Sequence, residues 1–489
     1  MSSLSSPSSP SGLGRPSGVP ATPLAARAAQ VRFRRALSLM VMTLVAPGTA
    51  QLVAGNRKVG VIAFRTYLYL LAIGAVTVVL VAFDHGLALD MAVNTTLLFW
   101  LNLVMMVLAV GWAYLFVDAW RIGQPESYSM GHRRLSVGLN GVLALGVAGV
   151  LLFSAHIVAV QRGFIVAVSG DGEATSSTHG RYNVLLIGGD SGDDRFGLRT
   201  DSMTVASIDE ETGKTVLVGL PRNMANFPFR KGSVMAEQFP DGFDCDGCML
   251  NGVSTWAQDH TELFGDTKDP GMDATISAIE GITDLSINYW VMVNLDGFRG
   301  LVDAVGGVTL DVREPLNIGD AHDGVVNTLP AGKRRLNGYQ TLWYARSREG
   351  SDDYSRMARQ KCVMSAMLAQ VSPASAVKNF ASIAQATSDM VQTSIPASEF
   401  DTFLDLGMKA KSQKIGSISL VPPAIRTAHP DIAKVRTMVR TAIDRSEGKA
   451  KAPTRRKKAT TSTSMTGGSR GTLKEGYAAN DSEDLGAAC

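Results

Sequence analysis

The stretch "GGDSGDDRFGLRTDS", residues 188–202, sets four aspartates and two arginines among four glycines directly after the apolar run "YNVLLIG". Hard carboxylate oxygens suit a divalent cation such as Mg²⁺, and planar guanidinium forks suit phosphate oxygens, so acids and arginines placed together point to phosphate chemistry. Further arginines recur downstream: Arg222 in "GLPRN", Arg346 and Arg348 in "LWYARSR", and Arg356 with Arg359 and Gln360 at helical spacings of three and four. A single arginine or aspartate on a surface is ordinarily a solvated ion pair of little consequence. Here the charges fall at the ends of apolar runs and on one helical face, so an anion site stands beside that bland reading, and composition and spacing do not say which anion it would take.

Those side chains need elements to hold them. "YNVLLIGG", "SMTVASI", "TVLVGLP", "INYWVMVNL" and "GGVTLDV" read as short strands bounded by Gly, Asp and Pro. Asp190 then ends the first strand, Arg199 and Asp201 open the second, and Arg222 closes the third. "DGFRGLVDAVGG", with Asp296 as N-cap, and "DDYSRMARQKCVMSAMLAQV" carry apolar residues at helical spacing. Strands alternating with helices predict an α/β domain over residues 180–445: three layers, a central sheet with helices on both faces.

The rest of the 489 residues divides by composition. Residues 1–30 are rich in Ser, Pro, Ala and Gly, residues 446–489 are as poor in residues that could build a core, and both read as disordered tails, the second holding the basic run "RRKK". Between them, 31–160 is a membrane region. "VIAFRTYLYLLAIGAVTVVLVAF" (61–83), "LLFWLNLVMMVLAVGWAYLFV" (97–117) and "VGLNGVLALGVAGVLLFSAHIVAV" (137–160) each reach the roughly 20 residues that cross a bilayer as helix. The segment 36–54 is about as long but broken at its centre by Pro47 and Gly48.

Arg32, Arg34, Arg35, Arg57, Lys58 and Arg65 flank that broken segment, Arg121, Arg133 and Arg134 lie in the loop 118–136, and the loop 84–96 has no Lys or Arg. The positive-inside rule therefore puts loop 84–96 and everything beyond a 161–179 linker outside the cell, with 36–54 as a re-entrant hairpin. A cleavable signal peptide is not expected, because the first apolar run starts late and further spans follow. The net charge of +3 gives no argument for nucleic acid.

Cys245, Cys248 and Cys362 lie in the exported region, where disulfides persist. "CDGC" can close on itself or one member can pair with Cys362, and Cys489 reads as incidental. The seven histidines show no metal-ligand spacing, and neither G-x-S-x-G nor a Walker motif occurs.

Three blocks, "NVLLIGGDS…LRTDSMTVASID…TGKTVLVGLPRNM", "INYWVMVNLDGFRGLVDAVGGVTLDV" and "LNGYQTLWYARSREGSDDYSRMARQKCVMSAML", resemble the LytR-CpsA-Psr family in its actinobacterial form. The resemblance covers roughly residues 180–445. It implies a cell-wall glycopolymer ligase that moves glycan 1-phosphate from a polyprenyl pyrophosphate to a hydroxyl of peptidoglycan. It further implies that Asp190 and Asp201 bind Mg²⁺ and that Arg199, Arg222, Arg346, Arg348, Arg356 and Gln360 form the pyrophosphate site, with Asp190, Asp201, Arg199 and Arg222 as the catalytic set. Gly192, Asn223 and Met249 depart from the family's usual residues. Two other readings stand beside it: the same chemistry with a surface protein as acceptor, and a non-catalytic membrane protein that binds or senses a polyprenyl-linked glycan.

Overall fold

A computed structural model describes residues 23–83, 87, 91–92, 94–124, 130–170, 172–189, 200–319, 327–348, 350–370, 391–450, 464–487 and 489. The chain falls into two compact units, one made of residues 1–84 and 99–158, the other of 85–98 and 159–489.

The first unit is helical. Helix α1 (Pro23–Val45) starts inside the region read as a tail. Its Pro at the first position and the Ala-rich "PLAARAAQ" explain why, since both favour helix initiation. Pro47 and Gly48 then break the chain before α2 (Thr49–Ala54). Gly48 sits at φ 92°, and a Cβ there would lie 2.7 Å from the Gly60 carbonyl oxygen, so only glycine allows the turn and the close approach of α3 (Arg57–Phe83) together. Trp112 Nε1 donates to the Thr43 carbonyl and Gln51 Nε2 to the Leu115 carbonyl, satisfying polar groups in apolar surroundings. Helices α3, α4 (Thr95–Ile122) and α5 (Met130–Val168) are long and apolar enough to cross a membrane. Their large apolar side chains face outward: Val78, Val110 and Leu145 are each at least 70% exposed. α5 runs through most of the expected linker, to Val168.

The second unit is the expected α/β domain. It begins with β1 (Arg181–Gly189), β2 (Thr200–Asp209) and β3 (Thr215–Leu220), followed by α6 (Pro270–Thr283), β4 (Tyr289–Asn294) and α7 (Leu295–Ala304). Next come two antiparallel pairs: β5 (Val308–Val312) with β8 (Gly332–Leu336), and between them β6 (Leu316–Ile318) with β7 (Asn327–Leu329). Then follow α8 (Gly338–Arg346), α9 (Asp353–Gln370), β9 (Val391–Thr393), α10 (Phe400–Lys411), β10 (Gly416–Ser419) and α11 (Ile432–Ser446). The central sheet has six strands in the order β10-β3-β2-β1-β4-β9. It is mixed: β1 runs parallel to β4 and β3 to β10, while the other neighbours are antiparallel.

The two-residue strand period divides the layers. Leu185, Ile187, Val205, Val216 and Val218 bury one face against Ile279 and Ile282 of α6 and Val435 and Val439 of α11. Leu186, Ala206, Ile208 and Leu217 form the other face, towards Met364 of α9 and Phe403 of α10.

Three sequence expectations need correction. α7 is capped by Asn294, whose side chain accepts from the Gly297 N–H, and not by Asp296, because the helix starts one residue after β4 ends. The segment 446–489 is not a uniform tail: α11 reaches Ser446, and β11 (Met465–Thr466), β12 (Ser469–Thr472) and β13 (Gly476–Tyr477) form a small antiparallel sheet against α9. Cys489 is not incidental either, since it bonds Cys362 of α9, while Cys245 and Cys248 close on each other.

Candidate functional site

The strand order explains how distant charges meet. β2 and β3 are antiparallel neighbours with Met203 opposite Leu220, so Asp201 at the start of β2 and Arg222 just past the end of β3 share one end of the sheet. α9 lies across the adjoining face and begins at that same end. Asp352 Oδ1 accepts from the Ser355 N–H, capping the first turn and placing Asp353 and Arg356 beside the strand ends.

The resulting cluster is tight. Arg222 Nη1 donates to Asp201 Oδ1, and Arg222 Nε stands 3.2 Å from Asp353 Oδ1. The same Asp353 oxygen is 2.9 Å from Arg356 Nη2, which also donates to the Asp201 backbone carbonyl at 3.0 Å. One carboxylate thus bridges two guanidinium groups, and a second carboxylate is pinned by both a side chain and its own backbone. Arg356 is 2% exposed, and its Nε has no partner among the described residues. Burial lowers the Arg356 pKa, Asp353 raises it, and Arg222, Asp201 and Arg348 act on it more weakly. Arg348 therefore belongs to the same electrostatic neighbourhood.

The other arginines are placed differently. Arg346, in the last turn of α8, stacks over Trp343 with its guanidinium carbon 5.6 Å from the ring centroid. Arg359 shares a helix with Arg356 but turns away, donating to the Ser347 carbonyl and lying over the Tyr344 ring. Its pKa is lowered to about 10, first by burial, so it stays charged at neutral pH and holds Ser347 and Ser351. Gln360 Nε2 donates to the Ala345 carbonyl.

Asp190, Arg199 and Gly192 lie outside the described residues. Gly189, which precedes Asp190, pairs with Thr200, which precedes Asp201, at the end of β1 and the start of β2. Asn223 donates to the Tyr354 hydroxyl, which also bonds the Thr427 hydroxyl, so this departure from the family pattern supports the base of α9. Met249 is 42% exposed.

Beneath the charged cluster runs a cavity of about 50 Å³ between the sheet and α9. Asp201, Arg222 and Gln360 line it together with the hydroxyl side chains of Ser202, Thr204, Ser417 and Ser419, and Leu217, Met357, Met364 and Ile418 supply apolar wall. Lys361 also borders it, with a pKa lowered to about 8 by burial, against the opposing pull of Asp481 and Glu483.

Asp353 is the site residue that sequence reasoning missed. Its i,i+3 spacing to Arg356 carried the signal. Carboxylate oxygens of this kind have the chemistry Mg²⁺ takes, although no group of three or more metal-ligating side chains occurs among the described residues. One or two protein carboxylates suffice when phosphate oxygens and water complete the shell, so Asp201 fits that ion.

Comparison with known proteins adds to this geometry. The LytR_cpsA_psr family profile matches residues 165–425. Biofilm regulatory protein A of Streptococcus mutans is 25% identical over 272 residues, 54% of this chain and 62% of that protein. The polyisoprenyl-teichoic acid--peptidoglycan teichoic acid transferase TagU of Oceanobacillus iheyensis is 27% identical over 225 residues, 45% of this chain and 61% of that protein. The chain thus spans a little over three fifths of the length of these two relatives. Among solved structures, protein gbs0355 from Streptococcus agalactiae aligns with a TM-score of 0.43 at 21% identity, covering 57% of this chain and 93% of that one.

Proposed function

Because the chain belongs to the LytR-CpsA-Psr family, we propose that it is a membrane-anchored transferase that moves glycan 1-phosphate from a polyprenyl pyrophosphate carrier to a hydroxyl of peptidoglycan. The observation that carries this reading is the linked set Asp201, Arg222, Asp353 and Arg356, of which Asp201 and Arg222 also line a cavity with apolar side chains from the sheet and α9. A pyrophosphate with a hydrocarbon tail has the same division of character, with charge at one end and apolar carbon at the other. A transferase relative whose name states a polyisoprenyl-linked donor and a peptidoglycan acceptor supports the substrate class.

The step balances without a covalent enzyme intermediate. The acceptor hydroxyl oxygen attacks the phosphorus that bears the glycan, the phosphoanhydride bond breaks, polyprenyl phosphate leaves, and the hydroxyl proton passes to a carboxylate or to water. Such transfer needs positioning and charge neutralisation above all. Arg222 and Arg356 supply fixed positive charge that Asp353 keeps oriented, and Arg348 adds to that field from its place beside Arg356. Arg199 and Arg346 belong to the proposed pyrophosphate site with them, and Gln360 lines the path from head to tail. Asp201, with Asp190, would hold Mg²⁺, which when bound neutralises diphosphate charge.

In this reading the protein crosses the membrane three times, with residues 36–54 as a re-entrant hairpin and the α/β domain outside the cell. The test is equilibrium binding of a polyprenyl pyrophosphate to the full chain, with Mg²⁺ and with chelator, in the wild type and in Asp201→Ala. Mg²⁺ should tighten wild-type binding and have much less effect on the variant. A wild type indifferent to chelator would remove the metal, and a wild type that binds no polyprenyl pyrophosphate would overturn the reading.

A further inference from the structure

The cavity below the charged cluster is far smaller than its proposed ligand. Pockets that enclose even drug-sized molecules hold roughly 300–1,000 Å³, against about 50 Å³ here. One side chain that lines it, Leu485, comes from the 464–489 segment and not from the sheet or its covering helices, and meets β2 and β3 at Ala206 and Leu217, further along the strands than Asp201 and Arg222. Leu485 is 2% exposed and packs between Ala206 and Leu217 of the sheet and Met364 of α9. From Arg356 at the charged end to Met364 the helix advances eight residues, about 12 Å at 1.5 Å per residue. The apolar path therefore stops within a short distance of the pyrophosphate position.

The segment carrying Leu485 is fastened on both sides of it. Upstream, Asn480 Nδ2 donates to the Tyr354 carbonyl, and the buried Lys361 Nζ donates to the Ser482 carbonyl at 2.6 Å. The Ser417 N–H donates to the Glu483 carbonyl and the Leu485 N–H to the Ile415 carbonyl, so residues 483–485 lie along the free edge of β10. Downstream, Cys489 is bonded to Cys362, one turn of α9 from Ala358 and in contact with the cluster around Tyr354. Two anchors hold a loop across the cavity with one leucine pushed inward.

We propose that this segment is a strap closing the apolar cavity, and that Leu485 is a plug whose displacement sets how long a polyprenyl chain the protein admits. The proposal rests on the reading of the cavity as the lipid site. With the strap seated, the charged cluster binds the pyrophosphate head and the first part of the chain. A longer chain enters only as Leu485 swings out, so part of its apolar contact is offset by unseating the leucine. Head-group affinity should not depend on residue 485, while chain-length discrimination should.

The test uses the full chain in detergent micelles and two probes, geranyl pyrophosphate and undecaprenyl pyrophosphate, with the ratio of their dissociation constants as readout. Leu485→Ala removes the plug and should shift that ratio about tenfold towards undecaprenyl pyrophosphate, with geranyl affinity unchanged. Leu485→Trp should shift it the opposite way. Cys489→Ser, which frees one anchor and leaves the leucine intact, should move it in the same direction as Leu485→Ala. An unchanged ratio in all three variants, with both probes bound, would sink the strap and leave the lipid reading standing. Failure of the wild type to bind either pyrophosphate would overturn both.

Discussion

Arg222 is the most connected of the site's side chains, because it meets Asp201 and Asp353 at once. Replacing it with Ala should weaken polyprenyl pyrophosphate binding by roughly ten- to a hundredfold, since a charged hydrogen-bonding partner contributes about 1.5–3 kcal/mol. Arg222→Lys should recover little, because an ammonium keeps the charge and loses the planar fork. Titration of the lipid into each variant checks this, and equal affinities would remove Arg222 from the site. Arg348→Ala should cost more affinity than Arg346→Ala, because Arg348 acts on Arg356 while Arg346 is stacked over Trp343. Lys361 gives a pH signature: its folded pKa of about 8 lies below the ordinary 10.5. Between those values the unfolded chain binds more protons than the folded one, so stability rises with pH through that window. The unfolding temperature of the wild type should gain on that of Lys361→Met as pH increases from 8 to 10, and parallel pH profiles would contradict it.

At the level of elements, α8 shows how local chemistry positions a distant arginine. Asn337 accepts from the Gln340 N–H while Gln340 reaches back to the Asn337 N–H, a reciprocal capping box that fixes where the helix starts and hence where Arg346 ends it. Asn337→Ala should lower stability by about 1 kcal/mol, read as a shift in the thermal midpoint; an unchanged midpoint would show that packing alone holds α8. The strands β1 to β5 were legible because each is a run of β-branched and apolar residues closed by Gly, Asp or Pro. β5, however, pairs with β8 outside the central sheet, and no local pattern encodes a partner. β9 and β10 are only three or four residues long, and "GSIS" carries too few apolar positions to show a period. Of the site, the arginines and Asp201 were legible as residue types. That Arg356 turns to Asp353 while Arg359 turns to Ser347 depends on the rotation of α9 against the sheet, which spacing on one helix does not encode.

Across the whole molecule, the three helices long and apolar enough to cross a membrane were legible from length and composition, and the order of the 464–487 segment was not. That segment is polar and Gly-rich, and its order comes from contacts made far along the chain: Ser355 Oγ to the Thr466 carbonyl, Tyr477 Oη to Asp352, and the bond between Cys362 and Cys489. Loop charge predicts that a cysteine introduced at Asp90 is labelled by an impermeant thiol reagent in whole cells and one at Tyr128 is not. The reverse pattern would put the α/β domain on the wrong side of the membrane for wall chemistry.

The most direct measurement of the central claim is the mass of the product formed when the full chain in liposomes meets a polyprenyl-pyrophosphate-linked glycan, Mg²⁺ and peptidoglycan. The expected products are a phosphodiester joining the glycan to a peptidoglycan hydroxyl and one polyprenyl monophosphate released per bond made, both lost in Arg222→Ala. Donor that is bound but recovered intact, with no glycan on peptidoglycan in the wild type, would contradict it.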